Sequence, residues 1–154
     1  MEKIVLDVRI LLILAQYNLD NFLSLEYDKG HLAPAADFNC DYEKLKTTFN
    51  YLNCALQHEK LNRGPWKNLE KYERKLSKDF KVNVRIELEF DANSLQLETG
   101  ALVPSYFIKI LSYNDTTKIF RFPNNISTYK QPWQDYEVQE SYTITKGCTE
   151  VYNR

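Results

Sequence analysis

The chain has 154 residues, enough to bury the core of one domain without disulfide or metal staples. Its composition is that of an ordinary globular protein apart from 11 tyrosines, and its formal charge of −1 excludes a uniformly basic nucleic-acid-binding surface. Cys40, Cys54 and Cys148 form no CxxC pair and are odd in number, which excludes a zinc ribbon and a complete disulfide framework. One bridge with one free thiol stays open, and the redox compartment with it.

Met1 to Ala15 carries an apolar run, Ile10 to Ala15, behind Glu2, Lys3, Asp7 and Arg9. A secretory signal wants a positive start and a small-residue cleavage site, and neither is present. The run is also too short to span a bilayer. Leu6, Val8 and Ile10 alternate with Asp7 and Arg9, which predicts a strand, with helix as the competing reading.

Asn18 to Glu26 reads as a connecting loop, and Tyr27 to Leu32 as a short strand and turn carrying His31. Gly30 suits a backbone that approaches a phosphate or turns sharply. Asp41 to Phe49 has helical composition with Asp41 as N-cap. Tyr51 to Asn53 reads as an extended piece leading to Gln57. The longest helix is predicted from Asn62 to Lys78, with Trp66, Leu69, Tyr72 and Leu76 on its buried face. Pro65 is acceptable there because it falls in the first turn.

The period then changes from 3.6 to 2. Val82, Val84, Ile86, Leu88 and Phe90 alternate with polar residues and predict a half-buried strand. Asp91 to Ser94 and Glu98 to Gly100 are turn material. Tyr106 to Tyr113 and Lys118 to Phe122 flank Asn114-Asp115-Thr116-Thr117 as a β-hairpin. Beyond Pro123 the chain reads as loop, with a short helix over Glu140 to Lys146 stopped by Gly147. No repeat or low-complexity linker divides the chain, so residues 1–154 read as one α+β domain with a mixed or antiparallel sheet and flanking helices.

Charge is unevenly spread. Residues 1–58 sum to −3, residues 59–85 to +5 and residues 86–154 to −3. The basic block is Lys60, Arg63, Lys67, Lys71, Arg74, Lys75, Lys78, Lys81 and Arg85, diluted by four acids. A local basic stripe on a neutral protein suits a groove that tracks phosphates. The competing reading is a solvated helix with pairs such as Glu70 and Arg74.

Two stretches carry chemistry. The first reads Tyr-Asp-Lys-Gly-His-Leu-Ala-Pro-Ala-Ala-Asp-Phe over Tyr27 to Phe38, and the second holds Leu-Asn-Arg-Gly-Pro-Trp over Leu61 to Trp66. A histidine after a glycine, then an asparagine, a glutamate and an arginine on a helix, make a compact set for cutting phosphodiesters. The pair resembles the signatures of the DNA/RNA non-specific endonucleases of the ββα-metal (His-Me finger) superfamily, Asp-Arg-Gly-His-Leu/Met-Ala-Pro-Ala and Leu-Asn-Arg-Gly-x-Trp. Val103 to Lys109 resembles a Val-Pro-x-x-Phe-x-Lys strand of the same family.

The resemblance implies a ββα-metal fold and a Mg²⁺-dependent endonuclease, with Mn²⁺ as a substitute, acting on DNA and RNA without base specificity and leaving 5′-phosphate ends. It implies His31 as general base and Asn62 as the single protein ligand of the metal, although Asn62 also suits a helix N-cap. Glu70 follows two helical turns later, about 12 Å along a straight helix, and reaches back toward the metal's waters. Arg74 and Lys29 are implied as phosphate contacts and Asn53 and Gln57 as site-orienting residues, while the basic stripe marks Arg63, Lys67 and Lys71 as expected nucleic-acid contacts. His58 lacks such a context and reads as structural.

Lys29 stands where the family has arginine and Leu56 where it has proline, and Arg9 alone is a candidate for an upstream arginine. The N-terminal region is expected to be short for the family. No membrane span is expected, a homodimer is left open, and the compartment is not readable, relatives being commonly secreted, periplasmic or mitochondrial. The rival reading is a catalytically weak or inactive nucleic-acid-binding protein on the same scaffold.

Overall fold

The structure, a computed structural model, describes residues 4–9, 26–92, 94–97 and 102–139. Strand β1 (Ile4–Arg9) confirms the strand reading of the N-terminus and runs parallel to β4 (Val82–Glu89). β5 (Tyr106–Tyr113), β6 (Thr116–Pro123) and β7 (Glu137–Val138) continue the sheet antiparallel, in the order β1-β4-β5-β6-β7. A separate antiparallel pair, β2 (Tyr27–His31) and β3 (Cys54–His58), is followed by the main helical segment and forms the finger. The predicted loop over residues 18–25, the turn at 98–100 and the helix over 140–146 lie outside the described residues.

β4 behaves as its alternation requires. Val82, Val84 and Ile86 are buried while Asn83 is exposed. Their face continues through Phe107, Lys109 and Leu111 of β5 to Phe120 and Phe122 of β6. Trp66, Leu69, Tyr72 and Leu76 pack against this face, the four positions expected of the helix. Trp66 meets Phe107 and Phe122 edge-on at 5.5 and 5.8 Å, a favoured aromatic geometry. On the opposite face Ile108, Ile110 and Ile119 form a second buried cluster with Val138 beside it. Burial on both sides explains why β5 shows no clean alternation.

The hairpin turn is tighter than expected. Asn114 (φ 42°) and Asp115 (φ 45°) make a two-residue left-handed turn, and Thr116 and Thr117 join β6. Short polar side chains tolerate that backbone region, and its twist matches the flanking strands. Asn124 fastens the finger to the sheet. Its Oδ1 accepts from the His58 N–H at 2.7 Å, and its Nδ2 donates to the Leu56 and Pro104 carbonyls at 3.0 and 2.8 Å.

Helix α1 (Tyr42–Thr47) follows the expected N-cap Asp41, whose Oδ1 accepts from the Lys44 N–H at 3.1 Å. Several local expectations need correction. Tyr51–Asn53 is a 3₁₀ turn, because Asn50 closes an Asx turn with its Oδ1 on the Leu52 N–H at 3.0 Å; extended backbone begins at Cys54. The helix begins at Glu59 instead of Asn62, with His58 capping α2 (Glu59–Leu61) by accepting from the Lys60 N–H at 3.1 Å. Asn62 has helical dihedrals (φ −57°, ψ −50°), so it is not an N-cap. A π turn spans Asn62–Trp66 before α3 (Lys67–Leu76). Gly64 leaves helical geometry there (φ −103°, ψ −114°), next to a proline that disfavours the helical region for the residue before it. Pro65 therefore sits at an internal bend and not in a first turn. α3 ends at Leu76, short of the expected Lys78.

Gly30 has a reason the sequence did not suggest. It lies in β2 with the fully buried Gln57 beneath it, and a Cβ there would fall on Gln57 Oε1 and within 2.6 Å of Gln57 Cβ. Gly30→Ala is expected to lower stability by about 1–3 kcal/mol, the range for overpacking a closed interior, as measured by denaturant unfolding. Unchanged stability would show that Gln57 can move aside.

Candidate active site

Two carboxylates clamp β2 and the loop after it against the helical segment. Asp28 Oδ2 accepts from Asn62 Nδ2 at 2.8 Å and from Arg63 Nε at 3.0 Å, and Asp28 Oδ1 accepts from Arg63 Nη2 at 2.6 Å. Burial pushes the Asp28 carboxyl up, but the hydrogen bonds from Arg63 and Asn62 prevail and hold it below the usual range. Nine residues on, Asp37 Oδ1 accepts from Arg74 Nη1 of α3 at 2.9 Å. Burial outweighs that pairing, so Asp37 is held above its ordinary value.

His31 lies between these two ties. The chain beyond it is pinned by Asn53, whose Oδ1 accepts from the Ala33 N–H and whose Nδ2 donates to the Ala33 and Thr48 carbonyls, all at 2.8 Å. The Leu32 N–H donates to the Asn53 carbonyl at 2.9 Å. Asn53 thus fixes the loop through both ends of its amide. The imidazole is half-buried, with its Nε2 sealed from solvent and its ring edge-on to Phe49 at 5.4 Å. Burial lowers its pKa from 6.5, which favours the neutral ring at physiological pH.

Asp28 also decides how Asn62 faces. A carboxylate only accepts, so the amide nitrogen must turn toward it and Oδ1 points elsewhere. Among the described residues no three His, Cys, Asp or Glu side chains gather to hold a metal ion. The oxygen donors expected from the sequence on this segment are the Asn62 amide, bonded to Asp28, and the half-buried Glu70 carboxylate, types that suit a cation keeping most of its water. The bend at Gly64 lies between them, so the straight-helix spacing expected for this pair does not apply.

At about 100° per residue, the side chains of α3 grade from core to solvent. Leu69 and Glu73 are buried, Glu70 and Arg74 are intermediate, and Lys67, Lys71 and Lys75 are exposed. The lysines recur every four residues and border the edge that carries Glu70 and Arg74. Burial raises the Glu70 carboxyl, opposed by the nearby Lys109 ammonium.

The remaining expected residues fall as follows. Lys29 is half-buried in β2 opposite Leu56. Gln57 is fully buried and its amide has no hydrogen-bond partner among the described residues. Arg63 commits three N–H groups to Asp28 and Glu59, the latter at 3.0 Å, so it serves Asp28 before any external phosphate. Arg9 lies in β1 opposite Glu87. His58 is buried as cap and packing residue, with Tyr27 edge-on at 5.6 Å, as its structural reading required. Sequence reasoning passed over Asp28, Asp37, Glu73 and Lys109 as site residues. Asp28 and Asp37 lay inside the quoted motif, and Lys109 ended the strand motif; an acid at a buried helical position was the available signal for Glu73.

A finger whose first strand ends in a histidine, tied through Asp28 to an asparagine and through Asp37 to an arginine of the following helical segment, defines a ββα-metal arrangement. The family model for DNA/RNA non-specific endonucleases matches residues 12–150, and the chain belongs to that family. It is 33% identical over 98 residues to human mitochondrial endonuclease G, covering 55% of this chain and 33% of that protein. The bovine mitochondrial endonuclease G is likewise 33% identical over 98 residues, covering 55% of this chain and 32% of that protein. The chain thus spans about a third of the length of the curated relatives it matches. A solved structure of an EndoG/EndoGI complex superposes with a TM-score of 0.67 at 22% identity, over 80% of this chain and 58% of that one. That likeness establishes the fold.

Proposed function

We propose that this chain is an endonuclease that hydrolyses phosphodiester bonds in DNA and RNA without base specificity, using Mg²⁺ or, as a substitute, Mn²⁺. The observation that carries the reading is the placement of a neutral, partly sealed His31 between the Asp28–Asn62 and Asp37–Arg74 ties. With Nε2 closed off, Nδ1 is the nitrogen left to take a proton from the attacking water. Asn62 Oδ1 is the candidate ligand, and a divalent cation there would supply Lewis-acid polarisation of the phosphate and charge neutralisation of the departing oxygen.

Glu70 would accept hydrogen bonds from water around that cation, and the N–H groups of Arg74 not used on Asp37 would meet phosphate oxygens. Lys29 would add a point charge where relatives present a planar fork. Asn53 holds the loop, Gln57 supports β2 from beneath, and Arg63 acts through Asp28. Lys67 and Lys71, with Lys75, form the track for the nucleic-acid backbone, which contains no element for reading base edges. Replacing all three by glutamine should weaken binding to every sequence alike and reduce the slope of log K against log salt by about 2–3, near one for each phosphate no longer neutralised. An unchanged slope would remove the stripe from the binding surface.

The reading is tested by incubating the purified chain and Mg²⁺ with end-labelled single- and double-stranded DNA and with RNA of mixed sequence. Even ladders ending in 5′-phosphates are expected from both sugars. Binding without cleavage would instead support a nucleic-acid-binding protein on a nuclease scaffold, and one dominant cleavage motif would refute non-specificity.

A further inference from the structure

Two arginines of the helical segment each meet a carboxylate of the first motif, and they meet it differently. Arg63 turns its Nε and Nη2 onto the two oxygens of Asp28, at 3.0 and 2.6 Å, and gives Nη1 to Glu59 at 3.0 Å. That is the two-pronged grip a guanidinium makes on a carboxylate or a phosphate, and in Arg63 it is spent. Arg74 gives a single Nη1 N–H to Asp37 Oδ1 at 2.9 Å. Its Nε and Nη2 N–H groups, side by side on one edge, meet no acceptor among the described residues. Both ends of the contact are held. Asp37 is buried in the 3₁₀ turn Ala35–Phe38, its N–H on the Pro34 carbonyl at 3.0 Å, directly after the segment pinned by Asn53. Glu73, the residue before Arg74, is buried with its Oε1 3.0 Å from Lys109 Nζ, an ion pair that ties α3 to β5.

We infer that Asp37 is a positioning residue, which holds the Arg74 guanidinium by one nitrogen and keeps its Nε–Nη2 edge whole for two oxygens of a phosphodiester. The inference rests on the nuclease reading for the identity of that phosphate. A carboxylate that took both prongs, as Asp28 does with Arg63, would consume the edge. With no carboxylate the long side chain would swing, and gripping a phosphate would cost it that freedom. One bond from a buried acid on a fixed turn avoids both losses.

A cycle of two substitutions separates this role from plain packing. Asp37→Leu removes the acceptor at similar volume, and Arg74→Lys keeps the charge without the fork. Steady-state kcat/KM on single-stranded DNA of mixed sequence is compared for wild type, both single variants and the double variant. With Arg74 present, Asp37→Leu should lower kcat/KM by about 10–100-fold, the scale of loss when a contacting group is misplaced by about an ångström. In the Arg74→Lys chain the same change should cost no more than about twofold, because the fork it served is already gone. A loss that is absent, or equal in both backgrounds, overturns the inference. Should Asp37→Leu not fold, Asp37→Asn, which drops the charge and keeps the shape, goes through the same cycle and is judged by the same outcomes. The edge is also read without cleavage, from the ¹⁵N signal of Arg74 Nε, assigned with Arg74→Lys, on adding a short single-stranded DNA without divalent cation. The signal should shift in wild type and stay in place in the Asp37 variant; no shift, or the same shift in both, overturns the inference. The expected difference in a wild-type chain that cleaves nothing would sink the nuclease reading and leave Asp37 in its role.

Discussion

His31→Ala should lower kcat/KM for plasmid cleavage by about 10²–10⁴-fold, the usual loss when a general base is removed, while nucleic-acid binding persists. The fold should survive, because the loop beyond His31 is held by Asn53 on Ala33 and by Arg74 on Asp37, not by the imidazole. Removing the edge-on packing against Phe49 should cost only about 0.5–1.5 kcal/mol. The same assignment fixes the sign of the pH dependence. Burial disfavours the protonated ring, so activity should rise with pH through a value below the ordinary histidine 6.5 and level off above it. Stability should follow in step: below about pH 6.5 the unfolded chain takes up a proton that folded His31 resists, so stability falls as pH drops through that window. Cleavage by His31→Ala within a few-fold of wild type would remove the residue from the mechanism.

Asn62→Ala should cost at least about 10–100-fold in apparent cation affinity, the loss typical of weakening even an outer partner of a metal, and activity with it. Two defects coincide in this variant. The amide oxygen disappears, and Asp28 loses one of its two donors, leaving its Oδ2 to Arg63 Nε alone. Raising Mg²⁺ should recover part of the activity, because a weakened site still fills by mass action. Asp28→Asn keeps the size and the Asn62 oxygen but frees the amide to rotate, so it should give a smaller loss of the same kind. Full activity of Asn62→Ala at low Mg²⁺ would assign the cation to other oxygens.

How far the sequence went follows from which interactions are local. β4 was readable because its period-2 pattern reports burial on one face, and the hairpin about Asn114 and Asp115, though not its two-residue length, because those residues tolerate left-handed backbone. The buried face of α3 was readable from Trp66, Leu69, Tyr72 and Leu76 alone. The helix start was not, since the capping group is the Nδ1 of His58, an unusual cap, and an asparagine four residues later offered a better match to the rule. Gly64 and Pro65 were seen, but whether they open a helix or bend one depends on that start. The motifs carried His31 and Asn62 as types, and the family resemblance added Glu70 and Arg74. What they could not carry is the pairing: Asp28 reaches Asn62 across 34 residues and Asp37 reaches Arg74 across 37. Lys109 is the extreme case, since a lysine in an apolar strand reads as an interruption until the helix above it is seen to bring Glu73.

The most direct measurement is nicking of supercoiled plasmid by the purified chain with Mg²⁺, with Mg²⁺ plus excess chelator, and with Mg²⁺ restored, beside His31→Ala prepared identically. The account predicts conversion to nicked and linear forms with Mg²⁺, none with chelator, recovery on restoring the metal, and a loss of about 10²–10⁴-fold in the variant. Nicking that ignores the chelator, or that proceeds equally in His31→Ala, would contradict it.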